Sequence, residues 1–267
     1  MTPRSIDLPD RVTLEYVEQG DPSGPPLFLL HGVTDSWHSF EPVLPYLPPA
    51  IRAFAISQRG HGDSGRPKAG YTLRDMADDV VAFMDAVGFE TAVVAGHSMG
   101  SCVGQRLAID HPERVRGLVL AGTFDDMRRN PVVRELWDDV ISGMTDPVDP
   151  GFIREFQEST LARPIPPEFM ATVLRETGKL PARVWKAVWE GFLTDDVADG
   201  LSRIRVPTRV LWGDRDSICG REGQERVRAA IPQAGLVVYE GAGHALHWEE
   251  PERFAADLAS FVEELEG

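Results

Sequence analysis

Two hydrophobic periods alternate along this chain. Short apolar runs at Leu27–Leu30, Ile51–Ile56, Thr91–Ala95, Val115–Ala121, Val206–Trp212 and Leu236–Tyr239 predict buried strands, and Arg11–Val17 predicts another near the start. Between them, apolar positions three and four apart predict helices over Leu73–Val87, Ser101–His111, Arg221–Ala230 and Pro251–Leu265. The last of these sets Phe254, Leu258, Phe261 and Leu265 on one face. Strands that alternate with helices imply an α/β fold, a mostly parallel sheet covered by helices on both faces.

That alternation stops between Phe124 and Ser202. The stretch carries helical patterns separated by Pro131, Pro147, Pro150, Pro164, Pro166, Pro167 and Pro181, and no strand pattern. Because it interrupts the sheet just after Val115–Ala121, it reads as an inserted helical cap, residues 124–202. The core domain is then 1–123 together with 203–267. The cap holds Phe124, Trp137, Phe152, Phe156, Phe169, Trp185, Trp189 and Phe192. Most aromatics at helical spacing pack against neighbours. One or two of these, with Trp37 and Leu246 from the core, are expected to line an apolar pocket, and the candidates are Phe124, Trp185 and Trp189.

Gly96-His97-Ser98-Met99-Gly100 stands where the Thr91–Ala95 strand runs into a helix. G-x-S-x-G in a strand-turn-helix context is a sharp turn that exposes the serine hydroxyl at the carboxyl end of the sheet. The flanking glycines are needed because a Cβ would crowd the turn. A serine attacks only when a base takes its proton and a third group orients that base. Of seven histidines, His97 adjoins Ser98 in a turn that points its side chain away. His31, His38, His61 and His111 lie in early loops or helix ends. His244 follows the Leu236–Tyr239 strand and a short loop, so it too emerges at a strand's carboxyl end, with His247 as a supporting residue. Past the Val206–Trp212 strand come Asp214 and Asp216; Asp216, farther from the strand, has the better reach, and Asp214 is the fallback. The order Ser98, Asp216, His244 is specific to one of the serine-triad folds. The tetrahedral intermediate also requires N–H donors. Met99, at a helix N-terminus, and Val33, in the His31-Gly32-Val33 turn after an early strand, are the expected pair.

Taken together these motifs resemble the α/β-hydrolase fold superfamily, in its helical-capped form. The resemblance includes Gln58-Arg59-Gly60-His61-Gly62-Asp63-Ser64, similar to the family's R-G-x-G-x-S turn, and Gly241-Ala242-Gly243-His244 followed by Glu250-Pro251. Gln58 departs from the pattern, since many relatives carry aspartate there. The resemblance implies Ser98, Asp216 and His244 as nucleophile, acid and base, with Val33 and Met99 forming the oxyanion hole. It implies a carboxylesterase-like or lactonase-like serine hydrolase that works without a cofactor on a small, largely apolar ester or lactone. Relatives with the same triad also cleave carbon–carbon bonds of ring-fission diketones, and some keep the fold only to bind a ligand. Relatives with epoxide hydrolase or dehalogenase chemistry carry aspartate where this chain has Ser98.

Composition narrows the partners. A net charge of −15 over 267 residues, with no basic stripe, excludes a nucleic-acid surface. No run approaches the ~20 apolar residues of a membrane span, and the first residues lack an apolar targeting stretch, so the expected compartment is the cytoplasm. Two cysteines, Cys102 and Cys219, make no disulfide framework, and no further Cys or His joins His244 and His247 at metal-ligand spacing. Nothing in the pattern specifies an oligomeric state.

Overall fold

The computed structural model describes residues 1–195 and 197–267. Eight strands form one sheet: β1 (Arg4–Asp7), β2 (Thr13–Gln19), β3 (Pro26–Leu30), β4 (Arg52–Ile56), β5 (Ala92–His97), β6 (Val115–Ala121), β7 (Thr208–Gly213) and β8 (Ala234–Tyr239). Their spatial order is β1-β2-β4-β3-β5-β6-β7-β8. The β1/β2 and β2/β4 pairs are antiparallel, and every other pair is parallel. β1 has no counterpart among the predicted strands. Its Arg-Ser-Ile-Asp stretch is exposed apart from the half-buried Ile6, so it carries no apolar run to read.

The helices are α1 (Leu73–Val87), α2 (Met99–Asp110), α3 (Pro131–Leu136), α4 (Pro150–Glu158), α5 (Pro167–Thr177), α6 (Ala182–Thr194), α7 (Arg221–Ala230), α8 (Leu246–Glu249) and α9 (Pro251–Glu266). Local chemistry fixes their ends. α1 starts at Thr72, whose side chain accepts from Asp75 N while Asp75 reaches back to the Thr72 backbone, and it stops at Gly88 with φ 83°. Four residues are too few for a periodicity, so α8 escapes prediction.

Strand periodicity divides the core in two. Along β3, Phe28 and Leu30 face one layer, where Phe28 meets Phe54 and Phe83 edge-on at ring separations of 5.2 and 5.6 Å. Leu27 and Leu29 face the other layer, against Phe254, Leu258 and Phe261 of α9. With both faces covered, the open end of the sheet is where its carboxyl-terminal loops gather. β3, β5, β6, β7 and β8 all send loops to that end, and between β6 and β7 the described residues form helices and turns with no strand.

Candidate active site

Ser98 sits between β5 and α2 at φ 51° and ψ −117°, a left-handed backbone that few side chains adopt. The glycine spacing has a steric cause. A Cβ on Gly96 would lie 2.1 Å from Gly100 O, and a Cβ on Gly100 would lie 2.1 Å from Leu30 O. Backbone bonds brace the turn, with Ser98 N donating to Ala121 O at 2.9 Å and Ser101 Oγ to Ser98 O at 2.6 Å.

His244, from the loop after β8, places Nδ1 2.8 Å from Asp216 Oδ2. Both side chains are buried. The other carboxylate oxygen of Asp216 accepts from the N–H groups of Ile218 and Cys219, each at 2.8 Å. Three donors thus occupy both oxygens of this buried carboxylate, and the bond to Nδ1 fixes the orientation of the ring. Asp214 points elsewhere: its Oδ1 accepts from Gly241 N at 2.6 Å and so shapes the loop before His244. Gly122 lets the imidazole pack close, since a Cβ there would stand 3.0 Å from Nδ1. Among the described residues no hydrogen bond joins Ser98 to the His244 ring, although both line one cavity. Such bonds often tighten only with substrate bound.

The Gly32–Val33 peptide is held by its carbonyl. His31 Nδ1–H donates to Gly32 O at 2.7 Å, while His31 Nε2 accepts from Gln58 N at 2.9 Å. Burial keeps this imidazole well below its ordinary pKa, so it stays neutral with one donor and one acceptor. Because a peptide unit is planar, fixing the carbonyl also fixes the Val33 N–H. Gln58 has a use here that aspartate could not serve, as its Nε2–H donates to His31 O at 2.9 Å. Thr34 follows at φ 71°, a second left-handed residue in the same site. Neither the Val33 N–H nor the Met99 N–H has a partner among the described residues.

Two further histidines, His97 and His247, brace the site. His97 Nε2–H donates to the His244 carbonyl at 3.0 Å, tying the serine turn to the histidine loop. Burial, together with the neighbouring His247 and His244, keeps His97 well below its ordinary pKa. His247 bonds Ser39 Oγ at 2.9 Å, and burial pushes it down to about 3. Asp35 was missed at the sequence level. It lies in the cavity wall two residues past Val33, with Ser39 Oγ 3.2 Å from Oδ2 and Gln157 Nε2 3.4 Å from Oδ1. Burial pushes this carboxyl up to about 8, against the opposing pull of those two partners. Gln157, from α4, also donates to Thr34 and Thr177 at 2.9 and 2.7 Å, so it ties the helical stretch to the loop carrying Val33.

The cavity at Ser98 measures about 40 Å³. Of the expected pocket residues, Phe124 and Trp189 line it, while Trp37, Trp185 and Leu246 do not. Trp37 and Leu246 are packed in the core layer that contains Phe254, Leu258 and Phe261 of α9. Trp185 is enclosed by Phe152, Phe156 and Trp189. Phe156 and Phe192 reach the cavity as well, so four of the eight aromatics border it, more than the one or two expected. Met127, Val132, Val133, Leu136, Ile218 and Trp248 complete most of the apolar wall.

Among the described residues, Asp216, Cys219 and His244 are the one group whose donor atoms lie close enough to gather round a metal ion, all within 4.8 Å. The donor set fits a metal poorly. The mutual hydrogen bond of Asp216 and His244 uses two of the three atoms. Burial and the Asp216 charge raise the Cys219 thiol well above its ordinary pKa, which withholds the thiolate.

The sequence matches the family model for the alpha/beta hydrolase fold over residues 25–251. It is similar to the AB hydrolase superfamily protein YisY of Bacillus subtilis, 27% identical over 266 residues that cover 96% of this chain and 97% of the relative. It is also similar to 3-oxoadipate enol-lactonase 2 of Acinetobacter baylyi, 26% identical over 252 residues covering 91% and 90%. Among solved structures, a thermophilic esterase from Thermogutta terrifontis matches with a TM-score of 0.86 at 25% identity, over 99% of each chain.

Proposed function

The chain belongs to the α/β-hydrolase fold family, and from that premise we propose that it is a serine hydrolase cleaving carboxylic ester or lactone bonds through an acyl-enzyme. The observation that carries this reading is the Asp216–His244 hydrogen bond at 2.8 Å, whose histidine lines the same cavity as a serine held at φ 51°. His244 takes the Ser98 proton as the hydroxyl attacks the carbonyl carbon. Asp216 stays ionised and stabilises the imidazolium. The N–H groups of Val33 and Met99 receive the oxyanion. His244 then gives the proton to the leaving oxygen, and a water repeats the sequence to release the acid and regenerate Ser98.

The helical stretch between β6 and β7 acts as the cap, with Gln157 as its tie to the oxyanion loop. Likeness to an esterase and to an enol-lactonase supports the ester or lactone reading. The carbon–carbon hydrolase alternative calls for a cap that binds a carboxylate, and among the described residues no lysine or arginine lines the cavity. A fluorophosphonate probe tests the proposal directly. Wild type is expected to gain one adduct on Ser98 and to hydrolyse short esters, and Ser98→Ala to do neither while melting at a similar temperature. Folded wild type that takes no adduct would leave ligand binding as the better reading.

A further inference from the structure

A second, larger cavity of about 760 Å³ adjoins the one at Ser98. Phe124, Val132 and Ile218 line both, so these three side chains form the partition between them. The two spaces differ in size and chemistry. The inner one is apolar and small: a single water needs ~10–15 Å³ on this measure, so about 40 Å³ has room for a few waters or a short acyl chain. The outer one is bordered by four arginines and four carboxylates among the described residues, with Asn130, Ser217 and Gln224 between them. Balanced charge with many donors and acceptors suits a neutral, hydrogen-bonding group rather than an alkyl chain.

Which half of an ester faces the partition follows from proton transfer. The leaving oxygen must stand at His244, which protonates it, whereas the oxyanion turns toward Val33 and Met99. The Phe124 ring lies 6.3 Å from the His244 ring, centroid to centroid, and Ile218 N–H donates to the carboxylate that holds His244. The partition is therefore on the leaving-group side.

We propose that Phe124, Val132 and Ile218 are specificity-determining residues that keep a short acyl group in the inner cavity and pass a larger polar alcohol group into the outer one. This rests on the hydrolase reading above and specifies its substrate class: short-chain acyl esters of polar alcohols.

The test uses two series on the full chain. For p-nitrophenyl acetate, butyrate and octanoate, kcat/KM is expected to fall by about tenfold or more between butyrate and octanoate. For acetates of differing alcohols, Ile218→Trp and, independently, Val132→Phe narrow the partition. Each is expected to lower the ratio of kcat/KM for glucose pentaacetate to that for ethyl acetate by about tenfold. Both positions are half-buried, so a larger side chain can be accommodated, and a general loss of structure would depress both acetates together without moving the ratio. An unchanged ratio in both variants with ethyl acetate turnover kept at the wild-type level, or octanoate cleaved as well as butyrate, overturns the partition while leaving the hydrolase reading intact. A wild type that turns over no ester and takes no fluorophosphonate overturns both.

Discussion

Replacing Asp35 by asparagine tests how far burial controls the chemistry of this site. The Asp35 carboxyl moves from an ordinary 3.8 to about 8 because the fold removes it from water and offers it only neutral partners. Those facing it are Ser39 from the turn Trp37–Phe40, Gln157 from α4, and His97 across Gly32, all uncharged at neutral pH. His247, beyond Ser39, is neutral too. Between about pH 4 and pH 8 the native protein then holds one proton that the unfolded chain has already released, so stability falls as pH rises through that window and levels off above it. At ~1.4 kcal/mol per pH unit, the full window sets a ceiling of about 6 kcal/mol, and relaxation around the ionised group brings the expected loss to ~2–5 kcal/mol. Asparagine preserves shape and hydrogen bonding without a titrating proton. Urea denaturation of both proteins at pH 5, 6, 7, 8 and 9 measures the effect. The variant should gain on wild type steadily up to pH 8 and no further. A gap constant within ~0.5 kcal/mol across the series would refute the assignment of a neutral buried acid.

Asp216→Asn should lower kcat by on the order of 10⁴ in steady-state ester hydrolysis, as a lost acid does in other triads, whereas Asp214→Asn, which only loosens the contact to Gly241 N, should cost about tenfold or less. Reversal of that order would reassign the acid. Gly100→Ala drives a Cβ into Leu30 O and should lower the melting temperature by more than ~10 °C if it folds at all, as read by calorimetry. Trp185→Ala should cost about 3–5 kcal/mol in denaturant unfolding, since the ring is fully enclosed, yet leave the ranking of ester substrates unchanged because it does not border the cavity.

Much of this arrangement was legible before any coordinates. Strand and helix periods are set by burial on the two faces of a sheet, and those faces repeat along the chain, so β3 through β8 and the long helices follow from pattern alone. The serine turn and the Asp216–His244 pair were legible for a different reason. A serine turn needs glycine at Gly96 and Gly100 for want of space, and a base and an acid at strand ends must come from loops that converge at one end of a parallel sheet. β1 left no trace because an exposed edge strand needs no apolar run. Asp35 was invisible because its chemistry comes wholly from desolvation and from partners on other elements, Ser39 and Gln157, which no spacing within one segment reveals.

The pocket wall shows where that kind of reading ends. Trp185 and Trp189 are four residues apart on α6, share one buried face, and stack with ring centroids 5.8 Å apart. Their helical period is identical and both are almost completely covered, yet only Trp189 touches the cavity. Period reports that a side chain leaves water, and it cannot distinguish burial against protein from burial against a void. The void arises where α3, α6 and the loops after β6 and β7 fail to close on one another, a property of how separate elements meet. The same holds for Val132 and Ile218, half-buried residues in unremarkable positions, which gain a role only because two cavities happen to meet at their side chains. On the proposed hydrolase reading, substrate choice is thus decided by contacts between elements, while the candidate machinery for the chemistry is written within them.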